Sequence, residues 1–306
     1  KKRTHLRDQN AKRMQEVGGM RDINPENFNS VDEFIIYLED KRATIDETLR
    51  DLKSTRADEK FETMGEFVKR VEASDELVYF PTGLDWLDGE LYYRGLAQGS
   101  FINIAGASYA GKTTFTIELL KGLAKSHKVA FFSYEMYEKV LIRKFKFAPL
   151  EILKNMTIIQ DNPNIDVVCE RIRKLSQAGV MVFAIDSRMK LRVSNSKLSE
   201  YEKNNEISSK LSELTRTLGI VIILINQISE ADLKAGRQAL KGSGDQVYDS
   251  DMIIYLSATL NDRQEVVKRE LVMAKDRIGE RTFKINIPDF YKKNDYGAIS
   301  AVEFRE

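Results

Sequence analysis

This sequence predicts an α/β fold: a mostly parallel central sheet covered by helices, preceded by a small helical segment. Three observations carry that reading. From about residue 81 onward, apolar and β-branched runs alternate with helical stretches, the pattern of strands buried on both faces by crossover helices. IAGASYAGKTTF, residues 104–115, sets a G-x-x-x-x-G-K-T string between one such run and one such helix, the context in which the string cradles phosphate. The first 80 residues, by contrast, are charged and show helical periodicity only.

Taken in order, Lys1 to Arg13 is a basic run that reads as a solvated tail, too polar for a signal peptide. Ser30-Val-Asp-Glu33 has the form of a capping box, with Phe34, Ile35, Leu38, Ile45, Leu49 and Leu52 on one helical face behind it. Thr63-Met-Gly-Glu66 is a second such box, opening a short amphipathic helix with Phe67, Val68 and Val71. The expected division is a helical segment over 1–80 and a catalytic α/β domain over 81–306. Strands are expected at 100–106, 129–134, 180–186, 219–226, 251–256 and 270–276, then in FKINI and AISAVEF. Helices are expected over TTFTIELLKGLAKSH, VVCERIRKLSQAG and SEYEKNNEISSKLSELTRTLG.

Composition narrows the function classes. With 48 basic and 47 acidic residues the chain is near neutral, so nucleic-acid contact must come from local basic loops. One cysteine, Cys169, and two histidines, His5 and His127, exclude an internal disulfide and argue against a Cys/His zinc site. No apolar run reaches the length of a membrane span, so a cytoplasmic protein without membrane contact is expected.

The glycine loop comprises Gly106, Ala107, Ser108, Tyr109, Ala110, Gly111, Lys112 and Thr113, with Thr114 following. Backbone N–H groups there can wrap an anion at a helix N-terminus, where the dipole favours negative charge. Lys112 suits the outer phosphates of a nucleotide such as ATP, and the Thr113 hydroxyl suits Mg²⁺. VMVFAIDS ends a strand in Asp186, a second Mg²⁺-holding position. KVAFFSYEMY puts Glu135 at another strand's C-terminal end, where ligands of open α/β sheets bind and a carboxylate can polarise water. IVIILINQ ends in Asn226 and Gln227, amides placed to sense the γ-phosphate. Lys275 and Arg277 follow a late strand and gain meaning only when a neighbouring subunit receives them.

The ordered set TGLDWLDGEL, the 106–113 loop, FFSYEM, the Asp186 strand, the INQ strand, KGSGDQVYDSDMIIYL and AKDRIG resembles the ATPase domain of DnaB-type replicative helicases, in the RecA-like superfamily of P-loop NTPases. The resemblance covers roughly residues 61 to 306 and rests on order and spacing. Thr82, Gly83, Leu87 and Asp88 match TG-x-x-x-LD; Ser133, Tyr134, Glu135 and Met136 stand at SLEM; Lys275, Asp276, Arg277 and Gly279 stand at KNR-x-G. The resemblance implies Glu135 as catalytic carboxylate, Gln227 as coupling amide, and Lys275 and Arg277 as groups acting across a subunit interface. It further implies a hexameric ring drawing single-stranded DNA through its centre, with a loader or primase as partner. DNA contacts would come from Arg192 and Lys197 in one loop and Lys234, Arg237 and Lys241 in another, and the 61–73 helix would dock on the adjacent protomer.

The chain also departs from the pattern. Ser187, Arg188 and Met189 follow Asp186 where an aromatic and a Gln are usual, and Asn226-Gln227 replaces S-Q. These departures indicate a divergent member, compatible with phage or plasmid origin. They also keep two other expectations open: a RecA/RadA-like recombination ATPase, and a nucleotide-gated scaffold that is not a motor.

Overall fold

The computed structural model describes residues 62–74, 76–195, 197–228, 249–263 and 265–288, with isolated positions between 30 and 45. The chain divides into two compact units, Lys1–Glu76 and Leu77–Glu306. The boundary falls four residues before the expected 80/81 because the next residues already belong to the second unit: Gln98 N–H donates to Val78 O at 2.8 Å, and Tyr79 and Phe80 pair with Ala97 and Leu96. Residues 31–33 of the first box, most of the helix behind it and the AISAVEF strand lie outside the described residues; Phe34, Tyr37, Leu38, Lys41 and Ile45 are helical, and Phe34 N–H donates to Ser30 O at 3.2 Å.

In the first unit, helix α1 (Met64–Glu72) starts at the expected box: Thr63 Oγ1 accepts from Glu66 N–H at 3.3 Å, and Glu66 Oε2 accepts from Thr63 N–H at 2.7 Å. It buries nothing. Met64, Phe67, Val68 and Val71 form an exposed apolar stripe.

The second unit opens with a two-stranded ribbon, β1 (Tyr79–Phe80) and β2 (Leu96–Ala97), flanking helix α2 (Asp85–Asp88) and a 3₁₀ turn at Tyr92–Arg94. The T-G-x-x-x-L-D string has a structural basis here. Asp88 Oδ1 accepts from the Thr82 amide and hydroxyl at 2.8 and 2.6 Å, its Oδ2 accepts from Gly83 N–H at 3.0 Å, and Leu87 enters the core.

The main sheet follows: β3 (Phe101–Gly106), α3 (Lys112–Leu123), β4 (Lys128–Ser133), α4 (Glu138–Lys144), α5 (Leu150–Lys154), β5 (Met156–Ile159), α6 (Ile165–Gln177), β6 (Val180–Asp186), α7 (Glu200–Leu218), β7 (Val221–Gln227), β8 (Met252–Leu260), β9 (Val266–Asp276) and β10 (Phe283–Asn286). Its order is β10-β9-β8-β3-β7-β6-β4-β5. The six strands from β8 to β5 run parallel, and β9 and β10 add an antiparallel edge. Alternate residues of β3 serve opposite cores: Ile102 and Ile104 pack with Phe115, Leu119 and Leu123 of α3, while Phe101 packs with residues of α6 and α7 such as Ile172 and Leu211. Burial on both faces is why these strands read as unbroken apolar runs.

Strand β5 is not among the expected strands, and β8 and β9 run longer than expected, to 260 and from 266. The added hairpin end is largely exposed, Leu260 and Val267 included, and is held by backbone pairing such as Ala258 with Arg269 rather than by burial.

Candidate nucleotide site

The C-terminal ends of β3, β4, β6 and β7 converge on one cleft of about 370 Å³. Crevices at these strand ends are where open parallel sheets bind ligands. The glycine loop forms its floor. A methyl group on Gly106 would collide with the Leu256 carbonyl of β8, so only glycine lets the loop leave the sheet here. Tyr109 takes a left-handed conformation (φ 67°) and stands 89% exposed at the loop's crest, while Ala110 is buried beneath it. Gly111 (φ 90°) is the N-cap of α3, and no side chain caps the helix, so its first-turn amides are offered to the cleft.

Lys112 Nζ donates to Gly106 O and Ala107 O at 2.9 and 2.7 Å, which holds the ammonium along the loop. Burial lowers its pKa, opposed by the charges of Asp186 and Glu135. Thr113 Oγ1 donates to Asp186 Oδ2 at 2.7 Å. Thr114 lies one residue further along the same turn, where its hydroxyl accepts from Lys144 Nζ of α4 at 3.4 Å. Asp186 is buried, which pushes its pKa up to about 6; the Thr113 hydrogen bond lowers it, the Glu135 charge raises it and Lys112 lowers it.

Asp186 Oδ1 is buried and accepts no hydrogen bond. A buried carboxylate oxygen in that position calls for a cation or a donor. Among the described residues, no cluster of three or more His, Cys, Asp or Glu forms a metal cage. One carboxylate beside one hydroxyl nevertheless fits Mg²⁺, which keeps waters and takes its other ligands from phosphate.

Glu135 stands exposed just past β4, and its Oε1 accepts from the Ser187 hydroxyl. Ser187, one of the departures from the resembled pattern, is therefore a contact of the candidate catalytic carboxylate. Gln227 Nε2 donates to Ser108 Oγ at 2.8 Å, tying the end of β7 to the loop. Asn226 does not join it. It lines the cleft's wall but is buried, and its amide donates to Asn103 Oδ1; the Asn103 amide in turn donates to the Ser250 hydroxyl. Of the two amides expected to sense a γ-phosphate, Gln227 contacts the glycine loop, whereas the Asn226 amide is engaged with Asn103.

Residues 80–153, spanning β1 to α5, match the family model of the DnaB-like helicase C-terminal domain. The chain's resemblance is to the DnaB-like helicases, at a divergent distance. Its fold is that of a solved ATPase domain matched at TM-score 0.62 and 21% identity, covering 74% of this chain and 95% of that one. It is also that of a DnaB-like replicative helicase described with its interactions with primase (TM-score 0.64, 19% identity, covering 92% and 73%). A KaiC-like protein from the hyperthermophilic archaeon Pyrococcus horikoshii shares it at TM-score 0.54 and 20% identity, covering 69% and 94%. No curated protein sequence matches this chain.

The remaining DnaB-like positions lie elsewhere. Lys275 pairs with Ile253 at the start of β8, and Arg277 N–H donates to Asp251 O at 2.8 Å, so both sit at the N-terminal end of the parallel strands. Arg277 Nη1 also meets Asp251 Oδ1 at 2.9 Å, while Asp251 Oδ2 accepts from Phe101 N–H at 3.0 Å. The length of β3, roughly 17 Å at ~3.3 Å per residue, separates this end from the glycine loop. Arg192 and Lys197 are exposed in the connection after β6, where Arg192 N–H donates to Pro163 O at 3.0 Å. Lys234, Arg237 and Lys241 lie outside the described residues. No helix among the described residues is long and apolar enough to cross a membrane.

Proposed function

We propose that the protein is an ATP-driven, ring-forming DNA helicase of the DnaB-like type, hydrolysing ATP with Mg²⁺ between subunits and translocating on single-stranded DNA. One observation carries this reading. The glycine loop, Asp186, Glu135 and Gln227 share one cleft, while Lys275 and Arg277 stand at the far end of the same sheet. A complete site therefore needs two copies.

Within the cleft, the loop amides and Lys112 bind the phosphates. Asp186 and Thr113 hold Mg²⁺, which when bound neutralises charge on the phosphate oxygens. Glu135, oriented by Ser187, takes the proton of the attacking water. Gln227 reports the phosphate's presence to the chain after β7, where Lys234, Arg237 and Lys241 follow; with Arg192 and Lys197 these are the DNA contacts. The uncovered apolar stripe of α1 supports docking on a neighbouring copy, and six copies in a ring is the expected assembly. A loader or primase is the expected partner, and the expected setting is the cytoplasm.

The test is steady-state ATP hydrolysis with and without single-stranded DNA. Strong stimulation is expected, with Lys112→Ala lowering the rate by on the order of 10²- to 10³-fold. Hydrolysis indifferent to DNA would overturn the motor reading and point to the nucleotide-gated scaffold.

The pH dependence of binding checks the metal role. Burial raises the Asp186 pKa from 3.8 to about 6, so the fold favours the neutral acid more than the unfolded chain does. The stability this contributes is fully present below 3.8 and is lost as pH rises through about 6. Mg²⁺ needs the carboxylate, so affinity for ATP with Mg²⁺ should fall below about pH 6, approaching ~10-fold per pH unit. Calorimetric titration across pH 5–8 measures it, and Asp186→Asn should give weak binding with no such slope.

A further inference from the structure

The sheet end that carries Lys275 and Arg277 also carries an aromatic corner that the proposed mechanism does not use. Tyr79 of β1 and Tyr92 and Tyr93 of the 3₁₀ turn pack together, with ring centroids 4.9 Å apart for Tyr79–Tyr93 and 4.3 Å for Tyr92–Tyr93. Two successive non-glycine residues, Tyr93 (φ 46°) and Arg94 (φ 56°), adopt left-handed backbone there. That conformation is costly for L-residues and is retained where surrounding structure or function demands it. Its result is outward display: Tyr93 is 67% and Tyr92 38% exposed. Rings turned to solvent at a backbone cost serve no core.

The corner is fixed relative to Arg277. Asp276 Oδ1 accepts from Ile278 N–H and Gly279 N–H at 3.2 and 2.8 Å, making a tight turn around Arg277. A methyl group on Gly279 would come within 2.9 Å of Tyr92 Cβ, so the turn rests directly on the tyrosines. One rigid surface thus presents guanidinium and aromatic faces together, with Arg94 exposed beside them. Guanidinium suits phosphate and a ring face suits a base. A nucleotide offers both at a fixed separation. The chain's own glycine loop lies at the opposite end of the sheet, so the nucleotide in reach is one held by another copy.

We propose that Tyr93 is the stacking platform for the base of the nucleotide bound in the neighbouring subunit, placed by the same turn that presents Arg277. This rests on the inter-subunit site proposed above. Stacking requires only a flat π face, so purine and pyrimidine triphosphates should both be accepted.

The test uses the full chain. Tyr93→Ala should raise KM for ATP about 10-fold with little change in kcat, whereas Tyr93→Phe, which keeps the ring, should behave as the parent. Hydrolysis of ribose 5′-triphosphate, which has no base, should be unaffected by Tyr93→Ala. Adding excess Lys112→Ala subunits, which supply Tyr93 but no active cleft, should restore the low KM. An unchanged KM for Tyr93→Ala overturns the platform. If Arg277→Ala and Lys112→Ala subunits still complement each other, the inter-subunit reading survives that loss; if they do not, it falls as well. A raised KM in Tyr109→Ala but not in Tyr93→Ala would move base recognition to the loop's crest and overturn the assignment. Weakened single-stranded DNA binding with an unchanged KM would make the corner a strand contact and overturn it too.

Discussion

Arg277→Ala is expected to lower kcat by about 10³-fold or more in the assembled protein, the range associated with losing an arginine finger. The fold should tolerate the change. The ion pair with Asp251 is exposed on the arginine side (46%) but buried on the aspartate side (10%), so its loss should cost about 1–3 kcal/mol. Asp251 keeps its hydrogen bond from Phe101 N–H, so its carboxylate is not stranded. A large kinetic loss with a modest shift in Tm therefore separates a catalytic role from a structural one. Mixing supplies the decisive control. Arg277→Ala subunits retain an intact cleft, and Lys112→Ala subunits retain an intact arginine. Mixed rings should contain some complete sites and recover activity. No recovery at any ratio, with both variants assembling, would sink the two-copy arrangement.

Glu135→Gln should cost about 10²- to 10⁴-fold in kcat, the usual worth of a positioned general base. The amide is nearly isosteric, and its oxygen can still accept from the Ser187 hydroxyl, so geometry is retained while proton acceptance is lost. Binding of ATP with Mg²⁺ should change little, because the residues proposed to hold the metal, Asp186 and Thr113, hydrogen-bond each other and are untouched by the substitution. A variant that keeps a tenth or more of the parent rate would remove Glu135 from the chemistry. Ser187→Ala is the informative companion: a smaller loss in kcat than Glu135→Gln fits a hydroxyl that only orients the carboxylate.

The parts of the site that depend on backbone chemistry were legible in the sequence. A loop that wraps phosphate requires glycine at Gly106 and a lysine and hydroxyl at Lys112 and Thr113, so the string and its flanks identify it without any tertiary information. Apolar runs ending in Asp186, Glu135 and Gln227 likewise betray strands pointing into one crevice. Other features had no local signal. Strand β5 is four residues long, follows a helix directly and is completed only by pairing with β4. The β1–β2 ribbon depends on two pairs distant in sequence meeting, Phe80 with Leu96 and Tyr79 with Ala97. Ser187 reads as an anomaly until its hydroxyl is seen on Glu135. Asn226 and Gln227 read alike in the sequence, but the pleat turns successive side chains to opposite faces, and the face of Asn226 holds Asn103. Arg277 shows in sequence as a cation past a strand, but its distance from the cleft, on which the two-copy proposal rests, is a property of the antiparallel return of β9.

The Ser250–Asn103–Asn226 chain of side-chain hydrogen bonds has a consequence for how this protein can vary. It fastens the chain at residue 226 and again at residue 250 to a single asparagine in the middle of β3. Sheet pairing adds a second fastening at each point, Asn226 with Ala105 and Met252 with Ile102. The stretch between therefore begins and ends on anchors that do not depend on its own contents. The positions of β7 and β8 beside β3 are thereby secured twice over, by side chain and by backbone. Substitution of Asn103, an inconspicuous polar residue in an apolar strand, would loosen both ends at once.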